Sequence, residues 1–278
     1  MVGRANKYDY KRAADALSSM YADGIISGGE MMMIKPYYEN IDAVTNKYLS
    51  SGVPYPVIHC EKDIGEMLSV YSAGRINGDS DEGLIREAMR LFYVNCKTGE
   101  RLGSSRMVLH LWGGVTSDSA VVGNIGFLPE LVRIAGECGI KLLIENVPCT
   151  TNDPLDNWRA AREVTKDTGF IFDSRFGAFH HDTDLILESE LAPLVEHIHI
   201  SDFVGFDGTH ERDFSRLRPI LHPREGKVDF DSLALRLDEL GYNGSFTVES
   251  PVMSESGIDE AKMRDTVTKT KQIFNILS

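Results

Sequence analysis

The sequence predicts an α/β protein built as one (β/α)8 barrel spanning residues 1–278, with a first strand that is weak or missing. Three observations carry that expectation. Short apolar runs rich in β-branched residues recur along the chain, segments of helical spacing separate them, and ionisable residues sit at their carboxyl ends. Continuous rather than alternating hydrophobicity marks strands covered on both faces, as in a parallel sheet. A βαβα order then selects α/β architecture, and barrels of this kind commonly fill about 250 residues as one unit. No linker, low-complexity tract or charge run marks a domain boundary.

Taken in order, the first helix is expected over Tyr10 to Tyr21, and only Met1 to Arg4 is left to form a strand before it. Seven strands are then readable: MMMI near Met31, PVIHC ending at Cys60, MVLHLW ending at Trp112, KLLIEN ending at Asn146, FIFDS ending at Ser174, HIHIS ending at Ser201 and SFTVES ending at Ser250. Leu128, Leu131, Val132, Ala135 and Cys138 form a helical stripe stopped by Gly139, and Leu233, Leu237 and Leu240 form another stopped by Gly241. Val267, Ile273, Phe274 and Leu277 suggest a terminal helix. Ser69 to Glu82 and Phe203 to Lys227 are polar and contain glycine, so they read as loops over a site.

Composition narrows the classes of function. With 42% hydrophobic residues the chain can build a sizeable core, and a formal charge of −13 makes nucleic acid an unfavourable partner. The amino-terminal segment lacks the apolar stretch of a signal peptide, and no run approaches the roughly 18 apolar residues of a membrane span. A soluble, cytoplasmic protein is the expectation. Cys60, Cys96, Cys138 and Cys149 form no CxxC pair, which favours reduced, buried thiols over a zinc knuckle or a redox motif.

His59, His110, Glu145, Asp173, His199 and Glu249 each stand at or near the carboxyl end of an apolar strand. One such residue is usually a solvated loop residue. Six of them, at the barrel face where such enzymes keep their active sites, point to a site. Carboxylates and imidazole suit one divalent ion such as Mn²⁺, Co²⁺, Mg²⁺ or Zn²⁺, since an apolar barrel holds unpaired carboxylates only at high cost.

The strand endings KLLIEN, FIFDS, HIHISD and FTVES, with the turn HPREGKVDF, resemble the xylose-isomerase-like TIM-barrel superfamily from about Met31 onward. That superfamily contains sugar and sugar-phosphate isomerases and epimerases, inosose dehydratases and, as a relative, endonuclease IV. The resemblance implies that Glu145, Asp173, His199 and Glu249 bind one divalent metal. It also implies that Glu145 and Glu249 are the catalytic pair, moving a proton on opposite sides of a metal-stabilised enediolate. The expected activity is therefore metal-dependent isomerisation or epimerisation of a small sugar or sugar phosphate, by a chain that could form homo-oligomers.

The chain also departs from the family pattern. Asp173-Ser-Arg-Phe176 lacks the histidine of D-x-x-H, Thr151 stands where ketose epimerases have a second glutamate, and Gly205 where they have an arginine. Arg175, His180 or His181 could supply the lost contacts, although an HH pair starting a polar helix is usually just exposed. His59 and His110 are candidates for substrate binding, and in the endonuclease branch they bind further metals. Trp112 could stack on a sugar face or belong to the core. His197 reads as core or as support for His199, and Asp202 as the carboxylate that orients a ligand histidine. His222 and Arg224 are candidates to bind substrate hydroxyls or phosphate. An inosose-dehydratase-like lyase, an endonuclease-IV-like repair enzyme and a non-catalytic metal- or sugar-binding barrel remain alternatives.

Overall fold

A computed structural model of the chain describes residues 9–208, 213–249, 253–254 and 257–275. Seven strands, β1 (Glu30–Met32), β2 (Val57–His59), β3 (Arg106–Leu109), β4 (Lys141–Glu145), β5 (Gly169–Asp173), β6 (Val195–Ile200) and β7 (Ser245–Val248), follow one another in sequence order in one sheet. The pairs β2–β3, β3–β4, β4–β5 and β6–β7 are parallel, with helices between the strands, which is the TIM-barrel arrangement the sequence predicts. The seven strands coincide with the seven readable runs. The expected eighth, over Met1 to Arg4, lies outside the described residues, as do Ser250 and Leu277.

Residues group into two compact units. The β2–β5 unit comprises Met32–Lys35 and Pro56–Ile171, and the β6–β7 unit comprises Pro36–Tyr55 with the segments up to Met31 and from Phe172 on.

In the β2–β5 unit, Val57, Val108, Leu143 and Ile171 form one buried layer. Side chains alternate along a strand, so two residues further on the same faces present His59, His110 and Glu145. That alternation is why apolar strands end in inward-facing polar groups. Helix Glu82–Leu102 covers this unit. Asp81 caps it by accepting from Gly83 N, its stripe Ala88, Leu91, Phe92, Asn95, Cys96, Gly99 and Leu102 is buried, and Gly103 ends it at φ 73°. At Gly99 a Cβ would meet Ile140 at 2.8 Å and Ile58 at 3.1 Å, so glycine eases the close approach of the helix to β2.

Ser69 to Asn77, expected as loop, instead belongs to helix Lys62–Asn77, which Gly78 stops at φ 77°. Its serines misled the reading because they are buried partners rather than solvated ones: Ser69 Oγ accepts from Gly113 N at 3.2 Å and from Asn124 Nδ2 at 2.9 Å. In the β6–β7 unit, helix Phe230–Glu239 is capped by Asp229 and buries Phe230, Leu233 and Leu237, and helix Glu260–Ile273 is capped by Asp259 and buries Met263, Thr266 and Thr270. No helix among the described residues is long and apolar enough to cross a membrane.

Candidate metal centre

In the β2–β5 unit, His59, His110 and Glu145 converge with ligand-capable atoms within 4.8 Å of one another. His110 Nε2 lies 2.5 Å and His59 Nε2 3.6 Å from Glu145 Oε2, and all three side chains are buried. His59 Nδ1 lies 2.7 Å from the Cys60 carbonyl. A carbonyl only accepts, so Nδ1 carries the proton, and a neutral ring then turns its Nε2 lone pair towards Glu145. Burial pushes the His110 imidazole down to about 4, against the opposing pull of Glu145.

In the β6–β7 unit, His199 stands between two carboxylates. Its Nδ1 is 3.2 Å from Glu249 Oε1, and its Nε2 is 3.1 Å from Glu30 Oε2. Glu30 also receives His197 Nε2 at 2.9 Å and Thr247 Oγ1 at 2.7 Å. Burial alone would raise its pKa, yet the charge and hydrogen bonds of His199 and His197 outweigh that and hold the carboxyl well below the usual range. The sequence reading missed Glu30 because it examined only the carboxyl ends of strands. Glu30 opens β1, and a lone acid before the run MMMI was the available signal. Asp173 is fixed differently: it ends β5 and its Oδ1 accepts from Arg175 N at 2.8 Å and Phe176 N at 3.0 Å, capping the short helix Ser174–His180.

Asp202 requires a correction. Expected to orient a histidine, it accepts from Phe203 N, Gly226 N and Val228 N at 2.8 to 2.9 Å, so it clamps the chain that returns after β6. Backbone amides brought near by the turn outcompete an imidazole for this acceptor. The HH pair is also placed differently: His180 ends helix Ser174–His180 and His181 follows at φ 56°, so neither starts a helix. Trp112 is fully buried and donates to the Val147 carbonyl at 3.1 Å.

The remaining candidates are dispersed. His222 is buried with Nδ1 2.8 Å from Thr266 Oγ1, beside a groove of about 470 Å³ lined also by Arg224, Glu225, Lys262 and Lys269. Arg224 is exposed, pairs with Asp231 at 2.5 Å, and sits at φ 73°, a left-handed backbone conformation that favours glycine. Gly205 has φ 82°, and a Cβ there would meet Lys227 at 2.6 Å, so this loop has no room for the arginine of the ketose epimerases. Arg175, the only buried Lys or Arg among the described residues, donates to the Leu217 carbonyl at 2.8 Å, while its Nε has no hydrogen-bond partner. Burial holds the Cys60 thiol well above its usual range, and Cys149 donates to the Val147 carbonyl, so neither resembles an activated nucleophile.

Glu145, Asp173, His199 and Glu249 are 1%, 0%, 0% and 5% exposed. Buried ionised carboxylates need a cation or strong hydrogen bonds, and oxygen with imidazole nitrogen is a donor set that divalent ions accept. The chemistry of these residues therefore fits a metal.

Comparison with known proteins finds similarity in sequence and in fold. The "uncharacterized protein MJ1311" of Methanocaldococcus jannaschii is 24% identical over 215 residues, covering 71% of this chain and 68% of that protein. A D-tagatose 3-epimerase-like protein superposes with a TM-score of 0.62 at 20% identity, covering 94% of this chain and 96% of the other. The 3-keto-D-glucoside 4-epimerase YcjR of E. coli gives 0.63 at 18% identity, covering 93% and 94%. D-psicose 3-epimerase of Clostridium cellulolyticum H10, solved with D-tagatose, gives 0.65 at 11% identity, covering 96% and 94%. At such identities the likeness is one of fold. The family profile itself matches residues 22–272, and the chain belongs to the xylose isomerase-like TIM-barrel family.

Proposed function

We propose that this protein is a divalent-metal-dependent isomerase or epimerase of a small sugar or sugar phosphate, acting by proton transfer next to a carbonyl. The observation that carries the reading is the set of buried donors at or beside the carboxyl ends of β4, β5, β6 and β7: Glu145, Asp173, His199 and Glu249. These four would hold one ion. Bound there, the ion would polarise a substrate carbonyl and acidify the adjacent C–H.

The chain's own residues supply the remainder. One of Glu145 and Glu249 removes the proton from the carbon next to the carbonyl, and the other returns a proton to the resulting enediolate. Asp173, oriented by the helix it caps, contributes charge without a proton role. Arg175 is assigned to substrate oxygens, because a buried guanidinium with an unused Nε–H recovers its desolvation cost when it meets an anionic or hydroxyl oxygen. Family membership and the epimerase names among the structural neighbours support a sugar substrate.

The test is elemental analysis of the purified protein, followed by turnover of ketoses and their phosphates in D₂O. About one divalent ion per chain and deuterium at the reacting carbon are expected. Protein that neither contains nor takes up metal refutes the reading, and full-rate turnover without deuterium replaces proton transfer by hydride transfer. The His59–His110–Glu145 cluster favours one other reading, a centre with a further metal ion, for which two ions per chain would be found.

A further inference from the structure

We infer that Glu30 is the positioning residue of the proposed centre: it fixes the proton of His199 on Nε2 and leaves the Nδ1 lone pair directed to the metal. The inference rests on the proposed function for the metal and on the β6–β7 unit alone for the geometry.

A histidine that binds a metal is neutral, and with neutral rings the hydrogen bonds of this cluster have one assignment. A carboxylate only accepts, so each group that meets Glu30 must donate. Thr247 Oγ1 gives its single proton to Glu30 Oε2 at 2.7 Å. His197 Nε2, 2.9 Å from the same oxygen, must then carry a proton of its own, and in the neutral ring His197 Nδ1 accepts from Ser245 Oγ at 2.6 Å. His199 Nε2 lies 3.1 Å from Oε2 and 3.2 Å from Oε1, so it too donates. Three donors on one carboxylate account for a buried acid that, among the described residues, has no lysine or arginine paired with it.

The consequence falls on the opposite edge of the His199 ring. A neutral imidazole has one N–H, and with that proton on Nε2 the Nδ1 lone pair faces Glu249 Oε1 at 3.2 Å. Acceptor then faces acceptor. A cation held by His199 and Glu249 would turn that repulsion into attraction, and a carboxylate behind a ligand histidine ordinarily fixes its tautomer and ring orientation. Register builds the arrangement: His197 pairs with Ser245 and His199 with Thr247 across β6 and β7, so the two histidines and their two hydroxyl neighbours share one face.

Glu30, His197 and His199 could instead be read as ligands of an ion of their own, since their donor atoms lie within 4.8 Å of one another. The distances favour hydrogen bonds. Tetrahedral ligands at the usual metal–ligand lengths stand about 3.4 Å apart, whereas the donors to Glu30 Oε2 lie at 2.7, 2.9 and 3.1 Å.

Two measurements on Glu30→Gln and Thr247→Val test the inference. In metal-free protein, at a pH where the ring is neutral, long-range ¹⁵N–¹H correlation reads the His199 tautomer, which should be Nε2–H in the wild type and shift towards Nδ1–H in Glu30→Gln. Chelator-competition titration with Mn²⁺ should show affinity about 10- to 100-fold weaker in Glu30→Gln and a smaller loss in Thr247→Val, whose truncation leaves the carboxylate in place. If Glu30→Gln does not fold, a changed tautomer balance and weaker Mn²⁺ binding in Thr247→Val carry the inference, and wild-type values in it overturn the inference. An unchanged tautomer with unchanged Mn²⁺ affinity in Glu30→Gln overturns it. So does a stoichiometry of two ions that falls to one in Glu30→Gln, because Glu30 would then be a ligand itself. Wild type that binds no Mn²⁺ refutes the proposed function, while the tautomer still reports on Glu30.

Discussion

The two histidine–carboxylate clusters use the same residue types to opposite electrostatic effect. At Glu30 three donors, from His197, His199 and Thr247, meet one carboxylate and hold it ionised. At Glu145 two histidines meet the carboxylate, but His59 has turned its Nδ1 proton to the Cys60 carbonyl, and burial pushes the His110 imidazole down to about 4, so that ring brings no charge and at most one N–H. The difference lies in where the protons go. A carboxylate supplied with donors is a support, and a carboxylate faced by a lone pair suits a cation.

Removing a proposed ligand should test this contrast with the largest effect. Glu145→Gln or His199→Ala is expected to lower divalent-metal affinity more than about 100-fold, beyond what loss of a supporting carboxylate does. Metal content after dialysis, measured per chain, is the check. Content equal to that of the wild type in both variants would break the assignment of Glu145 to metal binding.

Glu249→Gln, reloaded with metal, should lower kcat by about 10²- to 10⁴-fold, the usual worth of a positioned acid or base. Deuterium incorporation from D₂O should fall in step. A metal-loaded variant with undiminished kcat would remove Glu249 from the chemistry and leave it only a ligand role.

The neutral histidine sharpens the comparison through pH. His110 titrates near 4 in the folded protein against an ordinary value of 6.5, so the unfolded chain takes up its proton first as pH falls. The folded state therefore keeps its full stability above pH 6.5 and loses up to about 3 kcal/mol between 6.5 and 4 on this account. Denaturant midpoints of metal-free protein should fall more steeply over that window in the wild type than in His110→Gln. Parallel slopes would show that His110 is protonated in the fold, making the two clusters alike.

The smallest effect is expected outside both clusters. Arg224→Gly should leave metal affinity untouched and raise Tm modestly, since glycine adopts φ 73° without a Cβ clash. Thermal melts and KM for the substrate read this together, and a raised KM would instead assign Arg224 to substrate binding.

Much of the molecule was legible because strands and helices write their burial into period. The runs PVIHC, KLLIEN and HIHIS gave β2, β4 and β6, and the alternation that makes Val57 or Leu143 core also makes His59 or Glu145 inward-facing two residues on. Helix Lys62–Asn77 was less legible, because Ser69 and Ser72 are buried, and a serine whose partner comes from a distant segment looks the same in sequence as a solvated one. The same holds for Asp202, whose partners at positions 226 and 228 exist only after the chain has turned back.

The sequence by itself determined the strand order and the kinds of ligand at the strand ends, since both follow from local hydrophobic pattern and residue chemistry. Only the tertiary structure decided which hydrogen-bond donors each carboxylate meets. Glu30 and His199 are 169 residues apart, and their relation depends on which hydrogen-bond donors packing delivers to each oxygen, a matter of non-local geometry that no local pattern encodes.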